Sequence, residues 1–291
     1  MWRLWRTEGT EAVRDRARDR VRGLLGAGEL EARVEALEAR FAAVSTWTVM
    51  SWIEQAALAD TPLVSVVLPT RNRSTLLPRA VASVRAQIYS NWELIVVDDG
   101  STDDTPATIE RLRGELGEDR VRSSRIAHGG VCAARNHALA QAKGSLTTYL
   151  DDDNVMHPLW LKAVVWAFSQ RPEVDVLYGG IVVDDVRRVL RRDAGDLPSY
   201  HLYPFDRRHL IESNLADIGA IAHRSGLPEA HFDESLREMG DWDLLVRLTR
   251  AKAPLVLPAI ACFYSTVEPD RLSGGQTHDA DFARVQRKAR E

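Results

Sequence analysis

The chain has 291 residues, is 45% hydrophobic and 27% charged, and carries a net charge of -4. That length fits one large α/β domain with an appendage, or two domains, and the composition is that of a soluble globular protein. The charge gives no bulk electrostatic case for nucleic acid, and no apolar run approaches the roughly 18 residues that cross a bilayer. Two cysteines, Cys132 and Cys262, lie far apart in apolar surroundings. They form no disulfide framework and no metal spacing, and they fit a reducing cytoplasm. The start, Met1-Trp2-Arg3-Leu4-Trp5-Arg6, lacks the apolar stretch of a signal peptide.

Residues 1–60 read as a helical N-terminal extension. Residues 10–58 hold no proline and are rich in Ala, Arg, Glu and Leu, which favours helix. Leu30, Val34, Leu37, Phe41 and Val44 recur at spacings of 4, 3, 4 and 3, an a/d seam about two heptads long. Residues 24–58 therefore either join a second protomer in a homo-oligomer or lie on the body of their own chain. Residues 1–22 carry seven Arg against four acids, with Trp2 and Trp5 nearby. They form either a solvated helix face or a peripheral contact with the inner membrane surface.

Asp60-Thr61-Pro62 marks a boundary, and residues 61–291 read as one domain. Leu63–Leu68 is a β-branched apolar strand, and Leu76–Ile88 has helical spacing. Glu93–Val97 is strand-like and ends at Asp98-Asp99-Gly100. Thr105–Leu112 reads as helix, Val121–Ala127 as strand and Val131–Lys143 as helix. Ser145–Leu150 is a strand and Leu159–Phe168 a helix. This alternation argues an α/β fold, a mostly parallel sheet with helices on both faces.

Asp151-Asp152-Asp153 follows the Ser145–Leu150 strand directly. Adjacent carboxylates repel unless a cation offsets them. Ligands in such sheets bind outside the carboxyl ends of the strands. The triplet alone also fits a solvated turn or a helix cap, with Asn154 and Pro158 after it. A second acidic turn, Asp98-Asp99, falls at the same sheet edge, and that favours a metal–diphosphate site.

Four motifs stand in order: Pro69-Thr70-Arg71-Asn72-Arg73, then Val97-Asp98-Asp99-Gly100-Ser101-Thr102-Asp103, then Gly129-Gly130-Val131-Cys132-Ala133-Ala134-Arg135-Asn136, then Leu150-Asp151-Asp152-Asp153-Asn154. Over about residues 62–250 the chain resembles glycosyltransferase family 2, whose GT-A fold is a Rossmann-like sheet. The resemblance implies a nucleotide-diphosphate sugar donor, UDP before other nucleotides, and a metal-dependent inverting transfer to a hydroxyl acceptor. That acceptor is a glycan, a lipid-linked sugar or a small molecule.

By resemblance Asp99 accepts the imide N–H of the base. Pro69, Thr70, Arg71 and Arg135 line the donor site, and the two arginines meet ribose or diphosphate. Asp151 and Asp153 form the D-x-D motif. Asp153 is the firmest ligand for Mn2+ or Mg2+, and Asp152 lies nearer the ribose and sugar. Arg71 and Arg73 also fit surface charges, and Asp98 a turn cap.

In Glu238-Met239-Gly240-Asp241-Trp242-Asp243 the catalytic base falls on Asp241, and Gly240 replaces the family's usual Glu. Asp241 also fits a cap on the helix that follows. Asn214 to Arg224 resembles the acceptor-side segment. The aromatic run Tyr200-His201-Leu202-Tyr203-Pro204-Phe205 suits sugar packing or an ordinary lid. The run Arg187-Arg188, Arg191-Arg192 reads as a solvated loop. The segment from Tyr264 to Val267 lacks the late His of many relatives, and His278 is a weak substitute. No Gln-x-x-Arg-Trp motif and no membrane span occur, so a single transfer is expected over processive synthesis. The rivals are a sugar-phosphate nucleotidyltransferase, which needs a Gly-rich loop absent from Pro69–Asn72, and a non-catalytic scaffold of the same fold.

Overall fold

A computed structural model describes residues 44–184, 199–265 and 278–290. The readings for residues 1–22, for most of the 24–58 seam and for the Arg187–Arg192 run lie outside them. The chain divides into two compact units, Met1–Ser45 and Thr46–Glu291, and the second carries the fold below.

Among the described residues nine strands form one mixed sheet. They are β1 (Val64–Thr70), β2 (Trp92–Asp99), β3 (Val121–Ile126), β4 (Leu146–Tyr149), β5 (Val155–Met156), β6 (Val176–Asp184), β7 (Ser199–His201), β8 (Ile221–Arg224) and β9 (Leu255–Ser265). The order is β3-β2-β1-β4-β8-β6-β9-β5, with β7 on β6. β3, β2, β1 and β4 run parallel. β8 is antiparallel to both β4 and β6, while β6 and β9 are parallel. β1 and β2 are buried along their whole length, as runs of Val, Ile and Leu covered on both faces should be.

The helices are α1 (residues 44–55), α2 (Leu77–Arg85), α3 (Thr105–Leu116), α4 (Val131–Leu139), α5 (Trp160–Gln170), α6 (Arg207–Glu212), α7 (Gly240–Leu248) and α8 (His278–Arg290). α2, α3 and α5 pack one apolar layer against the sheet, which includes Val66, Leu68, Leu94, Val96, Trp160 and Val164. α4, α7 and α8 pack the other, around Val67, Ile95, Tyr149, Phe232, Trp242 and Val285. α1 joins the first layer through Met50 and Ile53, although its residues precede Asp60-Thr61-Pro62, and its Trp47 and Trp52 are exposed. Among the described residues no helix is long and apolar enough to cross a membrane.

Two features open the site. Strand order reverses at β1, because β2 and β3 lie on one side and β4 on the other. That is a topological switch point, where a crevice forms at the strand ends. Pro69 sits beyond the last β1–β4 pair, Val67 with Tyr149, and still pairs in register with Val97 of β2. A proline donates nothing to the ladder, so β1 can lose β4 there without stranding an N–H.

Candidate functional site

The ends of β1 and β2 are stapled together. Ser101 N–H donates to Asp98 Oδ1 at 2.9 Å, so Asp98 does cap its turn. Asn72, in the left-handed region at φ 54°, donates its N–H to Ser101 Oγ and accepts from Thr102 N–H at 2.7 Å. Arg73 N–H donates to Thr105 Oγ1 at 2.9 Å. Arg71 stands exposed on this loop, and Thr70 is buried at the end of β1.

Asp99 is buried at the end of β2. Its Oδ1 accepts from Gly129 N–H at 2.7 Å, and its Oδ2 from Gly130 N–H at 3.0 Å. His128 Nδ1 lies 2.7 Å from the same Oδ2. The carboxylate thus already orients the entry to α4. A base N–H would share it with this backbone and with His128, a half-exposed ring that no motif had marked.

Asp151, Asp152 and Asp153 turn away from the end of β4. Arg79 Nη2 donates to the Asp153 carbonyl at 2.6 Å, and Asn154 Oδ1 accepts from Ser265 N–H at 3.1 Å, so α2 and β9 fix the turn. Asp152 is the buried member, with Arg73 Nε 3.7 Å from its Oδ1. Burial, reinforced by Asp153 and Asp151, pushes its carboxyl up to about 7. Asp151 Oδ1 accepts from Arg135 Nη2 at 2.6 Å.

Among the described residues no group of three or more metal-capable side chains converges. A magnesium-type site asks for less, one or two carboxylates with phosphate and water completing the shell. The residues present fit that demand: the donors are all oxygen, and their mutual repulsion is what a divalent cation relieves.

Arg135 links this turn to the other half of the site. Its side chain is buried, with the guanidinium 5.2 Å from the Phe232 ring centroid and Nε without a partner. Asp241 is in the first turn of α7, one residue inside its start at Gly240. Trp242 N–H donates to its Oδ1 and Asn214 Nδ2 to its Oδ2, both at 2.8 Å. Burial pushes the Asp241 carboxyl up; Arg135 works against this and Asp151 with it. Asp151, Arg135 and Asp241 therefore share one electrostatic site. Asp243 faces elsewhere: it is fully buried between Arg247 and Lys288.

A hollow of about 270 Å3 adjoins Asp241, and Asn214, Asp217, His201, Tyr203 and Tyr264 line it. The aromatic run thus reaches the site through His201 and Tyr203. Tyr200 instead hydrogen-bonds Thr46 at 2.9 Å. Asp217 falls inside the Asn214–Arg224 segment, as a lone acid in the apolar stretch Leu215–Ala222. Burial, with Asp151 and Asp241 adding repulsion, holds its carboxyl well above the usual carboxylate range.

The family model for glycosyl transferase family 2 matches residues 65–227. A putative colanic acid biosynthesis glycosyl transferase, WcaA of Escherichia coli K12, is 30% identical over 192 residues, 66% of this chain and 67% of that protein. A Campylobacter jejuni GalNAc(5)-diNAcBac-PP-undecaprenol beta-1,3-glucosyltransferase is 37% identical over 95 residues, 32% of this chain and 30% of its own length. Other relatives are matched over as little as 10% of their length. The S. aureus TarS 1–349 structure in complex with UDP-GlcNAc superposes with a TM-score of 0.62 at 22% identity, covering 78% of this chain and 65% of that one. The mannosyltransferase PcManGT of Pyrobaculum calidifontis, in complex with GDP-Man and Mn2+, gives 0.55 at 21% identity over 79% of this chain and 65% of that one. With the switch-point crevice and the motifs gathered at it, these likenesses mean that the chain belongs to glycosyl transferase family 2.

Proposed function

We propose that the chain transfers one sugar from a nucleotide-diphosphate donor, a UDP-sugar before others, to an acceptor hydroxyl in a single inverting step. The observation that carries this reading is the Arg135 guanidinium, which bonds Asp151 of the acidic turn and acts electrostatically on Asp241 at the start of α7. The family's nucleotide-sugar structures, with UDP-GlcNAc in TarS and with GDP-Man and Mn2+ in PcManGT, support the donor class.

In this reading Asp99 and the 69–73 loop hold base and ribose, and Arg71 with Arg135 faces the diphosphate. Asp153 and Asp151 would hold the divalent cation, Mn2+ or Mg2+, which neutralises the diphosphate as it leaves. Asp241 takes the proton of the acceptor hydroxyl as that oxygen attacks the anomeric carbon. The bond to the nucleoside diphosphate breaks from the opposite face. A base works best with a pKa near the working pH, and burial moves Asp241 in that direction.

The test is a thermal-shift panel of UDP-, GDP- and dTDP-sugars with Mn2+ and with chelator, followed by product analysis. A donor that binds the native state raises the melting temperature. One nucleotide-sugar should do so with Mn2+, less with chelator and less in Asp153→Ala, and should release nucleoside diphosphate. Equal shifts in all three conditions would remove the metal, and pyrophosphate as product would replace the transferase with a nucleotidyltransferase.

A further inference from the structure

α1 has two faces of opposite character. Thr46, Met50 and Ile53 are buried, and Val49 packs beside them on the first apolar layer. Thr46 Oγ1 lies 2.9 Å from Tyr200 Oη, and Met50 Sδ accepts from Ile260 N–H at 3.4 Å. The other face carries Trp47 and Trp52, 77% and 54% exposed, with Val44, Thr48, Ser51 and Gln55. Glu54 is the only charged residue of the helix. A helix face that meets water is ordinarily charged, and large apolar side chains gathered on one exposed face mark an interaction surface.

The heptads of the sequence identify the occupant. The a/d spacing of Leu30, Val34, Leu37, Phe41 and Val44, carried on in the same rhythm, falls on Thr48, Ser51 and Gln55, all exposed. In that register the buried Thr46, Met50 and Ile53 take positions f, c and f, on the side away from the seam. The body of the chain thus covers the outer side of the α1 heptads and leaves the seam side open. Trp47 falls on g and Trp52 on e. In a parallel two-stranded coil each g residue faces the e residue of the next heptad in the other helix, so Trp47 of one copy meets Trp52 of the other, twice about a two-fold axis. The same rule sets Arg33, at g, against Glu38, at e. An antiparallel pair would instead set g against g, arginine against arginine. Val34 at a between Leu30 and Leu37 at d is the pattern of a two-stranded coil. A lipid surface would meet one acidic residue on α1 and no basic one, the reverse of what anionic headgroups attract.

We propose that the chain forms a parallel two-fold dimer, in which the exposed face of α1 and the seam of residues 30–44 pack against the same surface of a second copy. The proposal is independent of the transferase reading.

Sedimentation equilibrium and light scattering on the full chain at micromolar concentration should give twice the 32.6 kDa of one chain. Trp47→Glu combined with Trp52→Glu should bring the mass down to one chain. Both side chains are exposed in the protomer, so a cooperative melt should remain. If that variant does not fold, the charge pair decides alone. Arg33→Glu sets carboxylate against carboxylate twice per dimer and should weaken it by about ten-fold. Adding Glu38→Arg should restore the parent Kd. A monomeric parent overturns the proposal, and so does a dimer whose mass the folded tryptophan variant leaves unchanged. If Glu38→Arg restores nothing, the parallel arrangement falls. A monomeric parent that cosediments with phosphatidylglycerol vesicles, and ceases to as the tryptophan variant, gives this face to the membrane instead.

Discussion

Gly240 packs closely against Cys132 at the start of α7. A Cβ at 240 would lie 2.8 Å from Cys132 Sγ and 3.4 Å from the Phe232 ring. A larger residue at 240 would therefore force Cys132 to shift, while Arg135 pairs with Asp151. Asp241 keeps both oxygens hydrogen-bonded and faces the hollow. Asp241→Asn preserves shape and the bond from Trp242 N–H, yet cannot accept a proton. It should lower kcat by roughly 10²–10⁴-fold, as expected for loss of a general base, with donor Kd and melting temperature nearly unchanged. In the parent protein kcat should fall as pH drops through the raised Asp241 pKa, and that limb should vanish in the variant. Near-normal kcat would take Asp241 out of the mechanism, and Asp243 could not replace it, sealed as it is between Arg247 and Lys288. Asp241 was legible as a candidate from the family motif and from its place ahead of an apolar helix. His128 and the closeness of Cys132 to Gly240 were not, because each depends on what a distant strand or loop brings alongside.

The elements that hold the proposed base come from far along the chain. The loop into α7 is pinned on one side by Asn136 of α4, which accepts from Phe232 N–H at 2.7 Å and donates to its carbonyl at 2.9 Å. On the other side α8 grips it. Asp281 Oδ2 accepts from Arg237 N–H and Glu238 N–H, both at 2.9 Å. Lys288 reaches Asp233 and Asp243, and the Phe282 ring lies 5.1 Å from that of Trp242. Met239 follows in the left-handed region, φ 59°, a conformation that persists only where its surroundings impose it. Asp281→Ala strands two N–H groups, that of Glu238 buried, and should let this loop shift. Small displacements of a reacting group can cost about 10²-fold in rate, so kcat should fall by roughly 10- to 100-fold with donor Kd unchanged. Asp281→Asn keeps an acceptor oxygen and should recover most of the rate. Kinetics run well below each variant's melting temperature separate the two roles. A lower melting temperature with normal kcat would make α8 a structural brace only. The β-α alternation from residue 64 to 170 follows from local pattern, so the sequence displays it. The antiparallel β8, the β6–β9 pairing and the α8 clamp rest on long-range contacts that no local period encodes.

At the scale of the molecule, the parallel half β3-β2-β1-β4 meets the mixed half β8-β6-β9-β5 along one antiparallel seam, β4 with β8. Three residue pairs make that ladder, Leu146 with Arg224, Thr147 with His223 and Thr148 with Ala222. Side chains reinforce it: Thr148 Oγ1 donates to the Ile221 carbonyl at 2.9 Å, and Tyr149 Oη lies 2.7 Å from His223 Nε2. His223 Nδ1 is 2.8 Å from the Arg224 carbonyl. A neutral imidazole donates there through Nδ1 and accepts the tyrosine hydroxyl at Nε2, and protonation removes that acceptor. Burial accordingly pulls His223 from 6.5 down to about 4. The unfolded chain then binds the proton more readily than the folded one. Stability is therefore full above pH 6.5 and lost as pH falls from 6.5 to 4. The shift corresponds to about 3 kcal/mol over that window. Denaturant unfolding of the parent protein and of His223→Gln, in the same buffers from pH 7.5 to 4, reads the effect directly. The variant is expected to be less stable at pH 7.5, since Gln fills the site less well. It should also lose less than the parent on acidification, so the two curves converge toward pH 4. Parallel curves would place the acid sensitivity elsewhere in the molecule and leave His223 a packing residue of the seam.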